Sequence, residues 1–198
     1  MLEAFETARM LVRAPREGDG AETTAAILET WDDLHATMPW ARTEPTVEES
    51  EAFARKARGD FLERRELHLR AFLAGTETLV VCGGLHEVDW TVPSAEIGYW
   101  CRARFQGQGY VSEAVRAMLA YGFERLDMQR IAIHCDERNV RSRRVAERVG
   151  LTFEGVLRNE ARDAQGALRN TLVFAMTPAE FATKSAGRWS PRYLDSVT

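Results

Sequence analysis

The chain has 198 residues, 45% of them hydrophobic, which suffices for one domain with a sizeable core. A formal charge of -4 argues against a dedicated nucleic-acid binder, which needs a basic face, and is compatible with a cationic substrate. Three scattered cysteines (Cys82, Cys101, Cys135) argue against a disulfide framework and for a reducing cytoplasm, and MLEAFETARM holds no apolar run long enough for a signal peptide or a membrane span.

Met10–Arg13 predicts a first strand, stopped by Pro15. Asp19 and Glu22 have the spacing of a capping box and open a helix expected to run through Trp31 and Leu34. Thr46 and Glu49 repeat that signature at the head of a charged helix from Val47 to about Arg65. Between the two lies ATMPWARTEP, a loop whose Trp40 either borders a site or covers the core at a helix end. Leu67–Ala74, Thr78–Leu85 and Ala95–Cys101 read as antiparallel strands. Gly75 makes the first turn; a longer connection, HEVDWTVPS, carries Trp90 and Pro93.

From Val111 the apolar spacing becomes helical, through Val115, Met118, Gly122 and Leu126. Ile131, Ile133 and Cys135 then alternate as a strand, with Ala132, His134 and Asp136 on its other face. A short helix with Val145 and Val149 inward stops at Gly150, and its arginines (Arg138 to Arg148) form a solvated face. Leu151–Leu157 and Asn170–Met176 make a last hairpin around Gly166. This order predicts a mixed α/β sheet in one domain over 1–181, followed by a tail, 182–198, whose Trp189 and Tyr193 suit docking. The cysteines all fall in predicted strands, where thiols act as small apolar groups.

The most informative stretch is EIGYWCRARFQGQGYVSEA, Glu96 to Ala114. A strand leads into Arg104-x-x-Gly107-x-Gly109, then into a helix, so that backbone amides can approach a pyrophosphate. A P-loop fails because Tyr110 and Val111 stand where lysine and a hydroxyl are required. A dinucleotide fingerprint fits poorly, because Ser112 replaces its third glycine and Asp127 precedes the next strand. For the glycines alone, a turn that merely caps a helix stays open.

This segment resembles motif A of the GNAT acetyltransferases, whose loop amides hold the pyrophosphate of acetyl-CoA. A second block is similar to the same family: IAIHCD (Ile131 to Asp136), Asn139-x-x-Ser142, and a helix ending in VGLTFEG. MPWA, EIGYW, NxxS and EGVLR resemble the RimJ/RimL branch, which acetylates protein N-terminal amines. The resemblance covers about Glu6 to Phe181 and implies a mixed central sheet with a splayed strand pair flanked by helices.

Acetyl transfer needs a neutral amine, donors for an oxyanion and support for a leaving thiolate. The resemblance implies that the backbone of Trp100, Cys101 and Arg102 grips the pantetheine arm and that amides from Phe105, Gln106, Gly107, Gln108, Gly109 and Tyr110 hold the pyrophosphate. It implies that Glu96 is the base, directly or through water, with His86 and Asp136 as alternatives. Trp40, His86, Trp90 and Asp136 would line the acceptor side. Many family members carry a tyrosine seven residues after the motif asparagine; here that residue is Ala146, and Ser142 would serve the sulfur while Asn139 caps the helix and meets pantetheine. His134 reads as a sheet residue and His35 and His68 as ordinary. No metal is expected, since no ligand spacing is visible. The implied partner is an amine, a protein N-terminus or alternatively a small amine, with a second copy of the chain as a further candidate. Neither nucleic acid nor membrane is expected as a partner, and a non-catalytic acyl-CoA sensor is the alternative of a different class.

Overall fold

The computed structural model of the chain describes residues 2–185, 189 and 191–194. Strands β1 (Ala4–Glu6) and β2 (Met10–Arg13) precede helices α1 (Gly20–Glu29), α2 (Trp31–Thr37) and α3 (Val47–Leu62). Strands β3 (Leu67–Leu73), β4 (Leu79–Asp89) and β5 (Ser94–Cys101) lead to α4 (Tyr110–Arg125). Then come β6 (Arg130–Asp136), α5 (Val140–Arg148), β7 (Thr152–Arg162), β8 (Leu168–Met176), α6 (Pro178–Ser185) and β9 (Arg192–Leu194). The strands form one sheet in the order β7-β8-β6-β5-β4-β3-β2-β1-β9.

The second of the two expected capping boxes forms. Thr46 Oγ1 accepts from the Glu49 amide at 3.2 Å, and Glu49 Oε2 accepts from the Thr46 amide at 2.9 Å. The first does not, because tertiary partners outbid it. Asp19 accepts from Arg13 at 2.9 and 2.6 Å and from the Arg16 amide at 2.8 Å, while Arg70 Nη1 lies 2.8 Å away. Glu22 instead accepts from the Leu79 amide and from Arg102 Nη1, at 2.8 and 2.6 Å. The entrance of α1 is held from α3, where Glu51 accepts from the amides of Gly18 and Gly20.

The helix expected to continue through Trp31 breaks at Thr30. Its hydroxyl donates to the Ala26 carbonyl at 2.7 Å and accepts from the Ala103 amide at 3.0 Å, tying the break to the loop after β5. Three boundaries also depart from expectation. β1 lies upstream of the expected first strand, β4 absorbs much of the HEVDWTVPS connection, and β7 runs on to Arg162. The chain beyond 181 docks: α6 crosses that position, Trp189 packs against Phe181, and β9 pairs with β1 at the sheet edge. Residues 186–188, 190 and 195–198 of the expected tail lie outside the described residues.

Helices α1 and α3 pack on one face of the sheet and α4 on the other. The core lies chiefly under α4, where Val115, Met118, Leu119 and Tyr121 are fully buried. Gly122 permits the approach of α4 to β6, since a Cβ there would stand 2.4 Å from Ile131 Cδ1. Among the described residues, the one parallel pair of the sheet is brief. Ser94, Ala95 and Glu96 pair with Arg130, Ile131 and Ala132, after which β5 and β6 diverge. Ile97 to Cys101 stays paired to β4, and Ile133 to Asp136 to β8, so two unpaired strand edges face each other across a widening gap.

Candidate active site

At one end of the gap lies the turn of Gly107 and Gly109, with φ of 73° and 83°. Space does not demand glycine here, because a Cβ at Gly107 would meet nothing within 4 Å and one at Gly109 only Arg9 Nη2 at 3.6 Å. The left-handed backbone does, at about 1–2 kcal/mol for any L-residue. Gly109 is the N-cap of α4, and no side chain caps that helix. Its first amides, backed by the helix dipole, are therefore left open to an anion. Arg9 was not anticipated from the sequence. It lies over the Tyr110 ring at 4.0 Å, donates from Nη1 to the Gln108 carbonyl at 3.1 Å, and pairs with Glu113 at 2.6 Å. Phe105 stands edge-on to Tyr110, and Gln108 Nε2 closes the turn onto the Arg104 carbonyl at 2.7 Å.

Along the gap, strand parity corrects one expectation. The Arg102 amide donates to the Val80 carbonyl at 3.0 Å, so Arg102 and, two residues back, Trp100 turn their backbone groups toward β4. Cys101 and Tyr99 turn theirs toward the gap. The Arg102 side chain is buried in ion pairs with Glu22 and Glu29, both at 2.6 Å. Gln106 links three elements: Nε2 donates to Asp33 Oδ2 at 3.0 Å and to the Cys101 carbonyl at 3.3 Å, while Oε1 accepts from Arg141 at 3.0 Å.

Across the gap, Asn139 caps α5 by accepting from the Ser142 amide at 3.0 Å. Ser142 Oγ is hydrogen-bonded to Tyr99 Oη at 2.9 Å. Burial pushes the Tyr99 hydroxyl up to about 12, so it remains a neutral donor at ordinary pH. Ala146 is fully buried in the core, and the tyrosine that meets Ser142 comes from β5 instead. Burial also pushes all three cysteine thiols up, Cys101 to about 12, which keeps them un-ionised.

On the face carrying Glu96, Gly98 and Trp100, Glu96 Oε2 lies 2.9 Å from His134 Nδ1. That hydrogen bond raises the His134 pKa. His86 is the Cα partner of Glu96 and lies over Gly98, where a Cβ would stand 3.2 Å from its Cδ2. Trp40 is 52% exposed, whereas its neighbours Met38 and Ala41 cover the core with Trp100. An open cleft of about 240 Å³ separates this loop from the β7–β8 turn, lined by His35, Met38, Arg42 and Gln165 among others. Two expected acceptor residues are committed elsewhere. Asp136 accepts from the Arg138 amide and guanidinium, which lowers its pKa. Trp90 donates to the Arg64 carbonyl at 2.8 Å beneath the Arg64 guanidinium, beyond the other end of β5.

The Acetyltransferase (GNAT) domain family matches residues 9–152. The chain belongs to the GNAT acetyltransferase family. YdaF of Bacillus subtilis (strain 168) is 41% identical over 81 residues, 40% of this chain and 44% of YdaF. The ribosomal-protein-serine acetyltransferase of Escherichia coli (strain K12) is 29% identical over 132 residues, 66% of this chain and 70% of the relative. RimJ of Mycobacterium smegmatis, in complex with CoA-disulfide, shares the fold at a TM-score of 0.80 and 23% identity, over 98% of this chain and 96% of that one. These similarities are in keeping with the resemblance to the RimJ/RimL branch noted in the sequence. In YdaF and two further Bacillus relatives the match spans 44%, 62% and 60% of the relative's own length.

Within the GNAT framework, sequence reasoning missed Tyr99, Arg9 and the partner of Glu96. Alternation along β5 assigns Tyr99 to the α4 face, where apolar packing is the default expectation. Arg9 is distant in sequence from the glycine turn and reaches it only through the β2 end of the sheet. His134, expected as a satisfied sheet residue, stands two positions beyond Ala132, the last β6 residue paired to β5, and finds its partner in Glu96.

Proposed function

We propose that this chain moves the acetyl group of acetyl-CoA directly to a primary amine, with a protein or peptide N-terminal amine as acceptor. The observation that carries this reading is the parting of β5 and β6 after Glu96 and Ala132, with the left-handed glycine turn at one end. An extended pantetheine arm fits such a gap by adding itself as a strand.

Acetyl-CoA supplies the activated acyl group; the rest falls to the chain. The amides of the Gly107–Gly109 turn and of the first turn of α4 bind the diphosphate. Backbone groups of Tyr99 and Cys101 hold the arm and the thioester carbonyl. The Glu96 carboxylate, oriented by His134, takes the proton from the incoming ammonium, directly or through one water. As the amine nitrogen bonds the carbonyl carbon, the carbon–sulfur bond breaks and the departing sulfur is stabilised by the Ser142 hydroxyl, itself backed by Tyr99. The exposed Trp40 and the open cleft beside its loop leave room for a chain end, and the named ribosomal-protein relative supports that acceptor class.

The test is incubation with acetyl-CoA and a mixture of peptides and small amines, read by mass spectrometry and thiol release. Peptides are expected to gain an acetyl group at the α-amine, and Glu96→Gln, Ser142→Ala is expected to abolish turnover while coenzyme binding persists. Acetylation confined to small amines would retire the peptide acceptor. Binding without turnover on any amine would favour a sensor.

A further inference from the structure

We propose that Glu66, His68 and His86 form a binding site for one divalent transition-metal ion, of which zinc is the type. Sequence spacing hides this cluster; strand pairing assembles it. Leu67 pairs with Leu85 and His68 with Gly84, so Glu66, one step before β3, stands opposite His86. All three side chains then project from the same face of the sheet. One glycine makes room for an imidazole: Gly98 lies beneath His86, where a Cβ would stand 3.2 Å from its Cδ2. Gly84, opposite His68, instead lets the β3 and β4 backbones approach, since a Cβ there would stand 2.3 Å from the Leu67 carbonyl oxygen.

The distances suit a metal. Glu66 Oε2 is 3.0 Å from His68 Nε2 and 3.4 Å from His86 Nδ1, and the three ligand atoms all lie within 4.8 Å of one another. With metal–ligand bonds of about 2.0–2.1 Å, a tetrahedral site needs ligand–ligand edges of about 3.3 Å, which two of the three already approach. A modest rotation of one ring closes the third. Two imidazoles on paired strands and one carboxylate at the entrance of β3 are a borderline donor set suited to zinc, cobalt or nickel, and unsuited to magnesium or calcium, which want oxygen. The Phe53 ring stands edge-on to His68 at 5.4 Å. The His68 side chain is 14% exposed and Glu66 41%, so a fourth position opens toward solvent on the Glu66 side. Because His86 is also the Cα partner of Glu96, an ion here would stand on the acceptor face. The inference does not depend on the reaction assigned to the chain.

The test uses untagged, chelator-treated full-length protein titrated with cobalt(II) near neutral pH, then with zinc, magnesium and calcium. One equivalent of cobalt is expected to give the intense visible bands of tetrahedral or five-coordinate nitrogen–oxygen ligation. Zinc is expected to displace it and raise the melting temperature; magnesium and calcium are expected to do neither. His68→Gln, His86→Gln should lose binding at least tenfold, while His35→Gln retains it. Glu66→Gln, which keeps both imidazoles, provides a second variant if the double change unfolds, and it should weaken binding. No saturable cobalt or zinc binding by the wild type would overturn the site. So would binding that survives these substitutions, or a sulfur-to-cobalt charge-transfer band, which would assign the ion to cysteine.

Discussion

Gly109→Ala isolates the physics of the glycine turn, because the added methyl meets only an ordinary contact with Arg9 Nη2 at 3.6 Å. The cost is therefore conformational: φ of 83° in the left-handed region, about 1–2 kcal/mol for an L-residue. For a chain of this size that should lower the melting temperature by roughly 2–8 °C. If the free variant relaxes toward a right-handed turn, coenzyme binding must restore the strain. Affinity for CoA should then fall by at most about 5–30-fold, since 1.4 kcal/mol is tenfold. Gly109→Asn, which tolerates this region better, should fall between alanine and wild type. Gly122→Ala is the control by a different mechanism. There φ is not left-handed, a Cβ would stand 2.4 Å from Ile131 Cδ1, and overpacking should cost stability by about 1–3 kcal/mol with CoA affinity unchanged. Calorimetric titration with CoA and thermal unfolding measure both quantities. A Gly109→Ala protein as stable as wild type and equally tight for CoA would refute the assignment of strain and binding to this turn.

Tyr99→Phe removes one hydrogen bond to Ser142 and should cost about 1 kcal/mol of stability. It should lower kcat with KM for acetyl-CoA little changed, and a double-mutant cycle with Ser142→Ala should be non-additive; additive effects would separate the two hydroxyls. Arg102→Ala removes the buried guanidinium shared by Glu22 and Glu29, which keep the Leu79 amide and Arg104 respectively, and should destabilise by about 1–3 kcal/mol in chemical denaturation; an unchanged stability would mean that those remaining partners suffice. By NMR, His134 should titrate above the ordinary 6.5, held up mainly by Glu96 and also by Glu160, against burial and the nearby Arg130. A raised histidine pKa contributes stability that is fully present below 6.5 and is lost as pH rises through the folded value. Glu96→Gln should therefore lower the His134 midpoint and narrow its stability deficit at alkaline pH; an unmoved midpoint would break the pair.

Much of the architecture was legible because it is written in short-range rules. Alternation placed β2, β3, β5 and β6, the 3.6-residue stripe placed α4, and Thr46 with Glu49 capped α3 where a solvent-exposed helix end offered no competitor. The glycine turn was legible for the same reason, since φ is a property of single residues. Long-range partners decided what those rules could not. Asp19 and Glu22 carry the same signature as Thr46 and Glu49, yet guanidiniums from β2, β3 and the end of β5 take their carboxylates. A guanidinium fork offers a carboxylate two charge-assisted bonds at once, and Arg13 makes both to Asp19.

The sequence by itself determined the family, the order of the main elements and the turn suited to a diphosphate. Only the tertiary structure decided which side chains meet: Tyr99 with Ser142, Glu96 with His134, and Glu66 with His68 and His86. Helix period, strand alternation and glycine conformation depend on neighbours along the chain. Those meetings depend instead on the register between strands and on where β5 and β6 part, and that register is fixed by burial of the whole sheet against its helices.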